Sequence, residues 1–273
     1  MVNGYAPQTL KEALEIVRHK DVTPYGGGTD LMVAHGRSGQ YLFLHRIPEL
    51  QTISEDDTYL RLGAGCTFTQ VAEHPATPAI LKEAIGRIAA PAIRNLGTIG
   101  GNIGNGSAKA DSVLVFFALD AKLRLANADG ERIVSIQGFY KGRKELDLAP
   151  DELIVEVLLP RKMPEYYVYH KVGARAALAI SRLSFAGLWT VEDGIITACA
   201  TAFGAIEQTV VRLPEVDALL VGTPVADLER VGVEYLAAYD AALNPIDGRI
   251  SAAYRKRVCM NLLAGFLAEM RGA

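Results

Sequence analysis

Gly26-Gly27-Gly28-Thr29-Asp30-Leu31 and, about seventy positions later, Gly97-Thr98-Ile99-Gly100-Gly101-Asn102 are the stretches on which the reading of this chain turns. Each sets small residues beside a polar one, so main-chain amides can lie bare. A pyrophosphate needs several N–H donors converging on its oxygens, and a side chain would crowd that approach, which is what glycine avoids. Amides curved into a nest, or exposed at a helix N-terminus, supply the positive potential. Two such loops can grip one long phosphate-bearing ligand from two sides. Gly26 to Gly28 does not form Gly-x-Gly-x-x-Gly and opens no long βαβ unit, which argues against a Rossmann site. Taken alone, the triple glycine reads equally as a flexible turn. The second stretch tilts the balance. From Gly97 to Asp111 it also holds Gly104 and Gly106, with Thr98, Asn102, Asn105 and Ser107 interleaved. Loops of that length without elements of their own are uncommon and often functional. Asp111 reads equally as a cap of the next helix or as a carboxylate for a ligand hydroxyl.

Working outward, Thr9 to Arg18 carries Leu10, Ala13, Leu14 and Val17 on one helical face, with Thr9 as N-cap. A short extended piece, the first glycine loop, the start of a short helix at Asp30 to Val33 and a strand at Tyr41 to Leu44 complete a small α+β unit. Tyr59 to Ala64 alternates as a strand. Helices are expected at Phe68 to Ala72, capped by Thr67, and at Ala79 to Ala89, ending before Pro91. Asp111 to Leu119 is an apolar helix. Lys122 to Ala126 and Arg132 to Ile136 are strands joined by Ala128-Asp129-Gly130, and Leu153 to Leu159 is another. Pro160 to Pro164 reads as a linker. Beyond it Tyr166 to Lys171, Ser181 to Val191 and Ile195 to Phe203 read as antiparallel strands. Helices follow, including Ser251 to Met270 with Val258, Leu262, Leu263 and Phe266 on its apolar face. The expected division is 1–162, with subdomains of about 1–54 and 55–162, then 163–273.

Composition narrows the function classes. The 273 residues are 50% hydrophobic and 22% charged, with a net charge of −3. That is soluble-globular composition and favours neither nucleic acid nor an anionic membrane as partner. No apolar run reaches the roughly 18 residues of a membrane span, and the first residues show no secretory signal pattern. Cys66, Cys199 and Cys259 are far apart, lack Cys-x-x-Cys, and cannot supply the four thiolates of an iron–sulfur cluster. The odd count fits a reducing, cytoplasmic setting. His19, His35, His45, His74 and His170 show no metal-ligand spacing, so no metal site and no catalytic histidine is assigned.

Tyr25-Gly26-Gly27-Gly28-Thr29-Asp30-Leu31, Ile93-Arg94-Asn95-Leu96-Gly97-Thr98-Ile99-Gly100-Gly101-Asn102-Ile103 and Ala110-Asp111-Ser112 resemble the FAD-binding (medium) subunit of the xanthine dehydrogenase and carbon monoxide dehydrogenase family, the molybdenum hydroxylases. The resemblance continues through Asp151-Glu152-Leu153-Ile154, Lys171-Val172-Gly173-Ala174-Arg175, Ala179-Ile180-Ser181 and Ser251-Ala252-Ala253-Tyr254-Arg255. It covers nearly the whole chain in the family's order. It implies an α+β fold: a two-subdomain FAD-binding domain of the vanillyl-alcohol-oxidase (PCMH) type, then a smaller α+β domain with an antiparallel sheet and helices. It implies FAD on this chain, its diphosphate held by Gly26, Gly27, Gly28, Thr29, Asp30 and Leu31 and by Thr98, Ile99, Gly101 and Asn102. Asn105 and Asp111 would meet the ribityl or adenosine hydroxyls, and Leu153 and Ile154 a ring. Lys171 would place a cation near the flavin; it reads equally as a solvated lysine at a strand edge.

In such complexes a molybdopterin large subunit transforms the organic substrate. Two [2Fe–2S] clusters of a small subunit then deliver electrons to FAD, which passes them to NAD+ or another acceptor. A dimer of heterotrimers is the implied assembly. Flavin electron transfer requires no general acid or base from this chain. Two other readings remain open: a stand-alone flavin oxidase or dehydrogenase of the same fold, and an assembly module that has lost the cofactor.

Overall fold

The computed structural model describes residues 3–33 and 39–272. They form two compact units. One comprises residues up to 107 and 120–161; the other comprises 108–119 and everything from 162 onward. The division is therefore not a single cut in the sequence.

The N-terminal unit opens with strand β1 (Gly4–Tyr5) and helix α1 (Leu10–His19). Thr9 caps α1 by accepting from the Glu12 N–H, and Ala13, Leu14 and Val17 form its buried face. β2 (Val22–Tyr25) and β3 (Gln40–Phe43) follow, and β1 and β2 both pair with β3 in parallel. The expected helix at 30–33 is instead a turn, closed by Met32 N–H to the Gly28 carbonyl and Val33 N–H to that of Asp30. β4 (Ile53–Glu55) and β5 (Tyr59–Gly63) lead to α2 (Phe68–Glu73) and α3 (Ala79–Gly86). At α2 the Thr67 hydroxyl accepts from the Gln70 N–H while the Gln70 side chain accepts from the Thr67 N–H, a reciprocal pair that satisfies two otherwise orphaned donors. α3 stops short of Ala89, whose φ of 44° cannot continue a helix. Two short helices, α4 (Pro91–Arg94) and α5 (Ile99–Gly104), occupy the second glycine stretch, and α6 (Asp111–Ala118) follows.

α6 is fully buried. It belongs to the C-terminal unit and packs on strands of that same unit, which explains why an apolar helix interrupts the first in sequence. The N-terminal unit resumes with β6 (Lys122–Asn127), β7 (Gly130–Ser135), the short α7 (Ile136–Phe139), the small pair β8 (Tyr140–Gly142) and β9 (Glu145–Leu146), and β10 (Leu153–Pro160). Its larger sheet runs β4-β5-β10-β6-β7, antiparallel throughout. One face of α1 packs with Leu42, Ile47, Leu50, Ala126, Leu153 and Val155 into a single core. Each fully buried aliphatic side chain there stabilises the fold by about 1.5–3 kcal/mol.

The C-terminal unit is built on the antiparallel sheet β11 (Tyr166–Val172), β12 (Leu183–Glu192), β13 (Ile195–Gly204) and β14 (Val211–Arg212), in that spatial order. α8 (Pro214–Asp217), α9 (Leu228–Ala242) and α10 (Ala252–Arg271) follow. The buried stripe of α10 is Cys259, Leu263, Phe266, Leu267 and Met270, with Val258 and Leu262 half-buried at its edge. Within this core Asp217, 1% exposed, accepts from the Thr201 N–H (2.8 Å) and from the hydroxyls of Thr201, Tyr235 and Tyr239, and pairs with Arg212. Desolvation pushes its carboxyl above the usual range, against the guanidinium and the hydrogen bonds. These partners come from β13, β14 and α9, so no local spacing announces them.

Candidate functional site

The two glycine stretches meet within the N-terminal unit. A β-carbon added at Gly27 would sit on the Leu96 carbonyl, and one at Gly26 would sit on the Thr98 hydroxyl. Close approach of main chain to main chain is thus one reason for these glycines. Gly28 adds a φ of 69°, and a β-carbon there would collide with the Tyr25 hydroxyl. The turn this makes leaves the amides of residues 26 to 31 without an acceptor among the described residues. Gly26 to Thr29 and Leu31 are half-buried and Asp30 is exposed. Unpaired, partly covered N–H groups on successive residues are the donor set a phosphate takes.

The second stretch is organised differently. Thr98 is the N-cap of α5, its hydroxyl oxygen accepting from the Gly101 N–H at 3.1 Å. Ile99 donates to the Cys66 carbonyl (3.0 Å), Gly100 to that of Ala64 (2.8 Å) and Asn102 to that of Thr98 (3.0 Å). The first-turn amides of α5 are therefore already spoken for. A β-carbon at Gly100 would lie 2.6 Å from that of Ala64, so this glycine serves packing. Gly101 and Gly104 lie exposed on the opposite face from buried Ile99 and Ile103. Around Gly101 a β-carbon would meet only the Thr98 hydroxyl oxygen, at 2.9 Å. That bare ridge, and the hydroxyl proton of Thr98, are what the segment can present. Asn105 is the C-cap of α5 and donates its N–H to the Gly101 carbonyl.

Leu153 and Ile154 part company at the start of β10. Leu153 is 2% exposed and belongs to the core beneath α1, whereas the Ile154 side chain reaches α5, 3.8 Å from where a β-carbon of Gly104 would be. Adjacent strand residues face opposite ways, which separates the pair. Glu152, just before them, accepts two hydrogen bonds from Arg132 (2.6 and 2.8 Å). Those bonds hold its carboxyl below its ordinary range.

Asp111 and Lys171 both lie in the C-terminal unit. Asp111 is the first residue of α6, after an N-cap at Ala110 that makes no side-chain hydrogen bond. Its carboxylate takes the Lys171 ammonium at 2.7 Å and the Ser181 hydroxyl at 2.6 Å. The Lys171 side chain is 8% exposed, so it is not a solvated strand-edge lysine.

Two contributors escaped the sequence reading. The Arg94 guanidinium holds the carbonyls of Ile88 and Ala89 at 2.8 Å each, fixing the approach to α4. Ser181 is the other. The only signal was their place inside the motif strings that carry the family resemblance. Burial pushes the Cys66 thiol up to about 11 and that of Cys259 to about 12, so both stay protonated. His35 lies outside the described residues. No described group of three or more His, Cys, Asp or Glu is placed to hold a metal ion, and no described helix is long and apolar enough to cross a membrane.

Residues 1–162 match the family model of the FAD-binding domain in molybdopterin dehydrogenase, and residues 168–270 that of the CO dehydrogenase flavoprotein C-terminal domain. The nicotinate dehydrogenase FAD-subunit of Eubacterium barkeri is 29% identical over 98% of this chain and 97% of its own length. A xanthine dehydrogenase FAD-binding subunit of Escherichia coli O157:H7 is 33% identical over 75% of this chain and 74% of its own. Among solved structures, a chain of reconstituted CO dehydrogenase from Oligotropha carboxidovorans superposes with a TM-score of 0.88 at 25% identity, covering 96% of this chain and 95% of that one.

Proposed function

The chain belongs to the family of FAD-binding subunits of molybdopterin dehydrogenases, and on that footing we propose that it is the flavin-bearing, electron-transferring subunit of a multi-subunit oxidoreductase. Bound FAD supplies electron-transfer chemistry that no side chain offers. The chain's own part is to hold that cofactor and set its surroundings. The observation that carries the reading is the meeting of the two glycine stretches, with free amides on the first and a bare glycine ridge on the second. Gly26 to Leu31 donate main-chain N–H groups to the diphosphate. Thr98, with Gly101 and Asn102, forms the facing wall; its hydroxyl accepts from Gly101 and keeps its own proton to donate. Ile99 anchors that wall from the core. Asn105 takes a cofactor hydroxyl, and Ile154 lines the ring, while Leu153 on the opposite face anchors the strand in the core. Asp111 and Lys171 are assigned to the same cofactor on the family pattern alone.

On the same pattern, electrons arrive from the [2Fe–2S] clusters of a small subunit and leave to NAD+ or another acceptor. A molybdopterin large subunit transforms the organic substrate, and the assembly is a cytoplasmic dimer of heterotrimers. The test is direct. The purified chain should carry or take up one FAD per chain, with flavin absorption. Free FAD at 100 times its Kd should stabilise it by about 2.7 kcal/mol. A colourless chain that ignores added FAD in both assays would sink the reading.

A further inference from the structure

Within the C-terminal unit, the start of β11 runs past the last turn of α10. An open hollow of about 560 Å³ lies there. Tyr166, Val168 and Trp189 wall it on the sheet side, Glu269 and Gly272 on the helix side, and Glu165 stands at its rim. β11 has a neighbouring strand, β12, on one side only, so the hollow opens at the edge of the sheet. Its wall is aromatic. Tyr166 and Trp189 are paired across the two strands, their ring centroids 5.4 Å apart and their planes 19° from parallel. Trp189 is 4% exposed, yet its indole Nε1–H has no acceptor among the described residues. A buried donor without a partner costs free energy and calls for an explanation. The rest of the indole is packed in the core with Phe266 and Tyr166, so the hollow is the side from which an acceptor can arrive. Glu165 and Glu269 are exposed, and neither carboxylate has a hydrogen bond or ion pair among the described residues. The basic residue of that helix turn, Arg271, does not line the hollow.

Aromatic faces beside unpaired carboxylates select a cation. The lone indole N–H asks in addition for an acceptor close to that cation, which a metal ion or an alkylammonium ion does not carry. A guanidinium is planar, stacks on aromatic rings and forks onto carboxylates, and an arginine within a peptide brings carbonyl oxygens with it. We propose that this hollow is a docking pocket for an arginine side chain of a partner polypeptide. The guanidinium stacks on Tyr166 and pairs with Glu165 and Glu269, while a carbonyl of the same segment accepts from the Trp189 indole. Arginine, tyrosine and tryptophan are the residues that most often anchor such interfaces. The proposal uses the C-terminal unit alone and stands apart from the flavin assignment.

Trp189 is the single tryptophan of the chain, so its fluorescence and its indole N–H resonance report on this place. The whole chain is titrated with acetyl-Gly-Arg-Gly-amide, with the same peptide carrying citrulline, the neutral isostere of arginine, and with tetramethylammonium. The arginine peptide should saturate with a Kd on the order of 1 mM and move the indole N–H resonance downfield as the donor gains an acceptor. The citrulline peptide should bind about tenfold more weakly, the loss expected when a hydrogen bond gives up its charge. The double variant Glu165→Gln with Glu269→Gln alters only exposed carboxylates. It should lose about tenfold in affinity for the arginine peptide by the same reasoning, with Tm unchanged. No saturable change up to about 20 mM of the arginine peptide overturns the proposal. So does equal binding of the citrulline peptide, or undiminished binding by the double variant. Tetramethylammonium that binds as tightly as the arginine peptide overturns it too, by making the hollow a site for small cations.

Discussion

The two glycine stretches look alike in sequence and are built for different ends. In the first, three successive glycines and a φ of 69° at Gly28 make a turn whose amides find no acceptor among the described residues. In the second, the turn becomes the helix α5, and its leading amides are satisfied by Cys66, Ala64 and the Thr98 hydroxyl. One stretch offers donors; the other offers a surface from which side chains have been removed. A glycine-rich string therefore does not say by itself whether glycine is wanted for its amide, for close packing of main chain, or for open space beside a ligand.

The contrast can be broken most severely at Gly27. Gly27→Ala puts a methyl group onto the Leu96 carbonyl, so the stretches must part. Overpacking of that kind costs about 1–3 kcal/mol. We expect a lower urea midpoint together with loss of stoichiometric FAD. A variant with normal flavin content and stability would show that the contact is dispensable.

Gly101→Val separates binding from folding. Space around Gly101 is open but for the Thr98 hydroxyl, and valine suits a helix better than glycine does. FAD affinity should fall about a hundredfold, roughly 2.7 kcal/mol, with stability falling by no more than loss of the Thr98 cap would cost, about 1 kcal/mol. Full binding by this variant would remove the second wall from the site. Gly28→Val cannot serve the same purpose, because a β-carbon there meets the Tyr25 ring and a positive φ strains any branched residue.

Thr98→Ala addresses the cap. Its loss should cost about 1 kcal/mol of stability and raise FAD Kd several-fold, because the hydroxyl's remaining proton goes with it. Isothermal titration against Thr98→Ser, which keeps the hydroxyl, reads the difference. An alanine variant that binds FAD as the serine variant does would leave Thr98 a cap and nothing more.

The smallest effect is expected away from both stretches, at Arg132–Glu152, and provides their control. Hydrogen bonds from Arg132 lower the Glu152 pKa from its reference of 4.5. The unfolded chain thus binds the proton more readily, so this contribution is present above about pH 4.5 and fades as pH falls through the lowered value. Arg132→Gln should flatten that part of the acid-side decline in Tm while leaving FAD affinity at pH 7 unchanged. An affinity loss equal to that of Gly101→Val would mean that the start of β10 matters as much as the glycines.

Much of the fold was legible because it is local. Alternation marked β5, the turn at Ala128-Asp129-Gly130 marked the β6–β7 hairpin, and the caps at Thr9 and Thr67 lie where hydroxyls precede apolar periodic runs. The turn at 30–33 was misread as a helix because four residues carry too little periodicity to tell one turn from several. α5 was hidden for the opposite reason, since glycine-rich sequence masks helical pattern. The face of α10 was read slightly off its true centre, because Val258 and Leu262 lie at the margin of the buried stripe.

The order of motifs along the chain was enough to settle the family, the α+β class and the need for a phosphate-bearing cofactor. All of these rest on residue types at fixed spacing, which a linear string preserves. Which glycine gives an amide, which gives room, why Leu153 and Ile154 face apart, and how Ser181, Asp111 and Lys171 come together were decided only in three dimensions. Each depends on which distant carbonyl, hydroxyl or carboxylate arrives as a neighbour, and chain folding alone determines that.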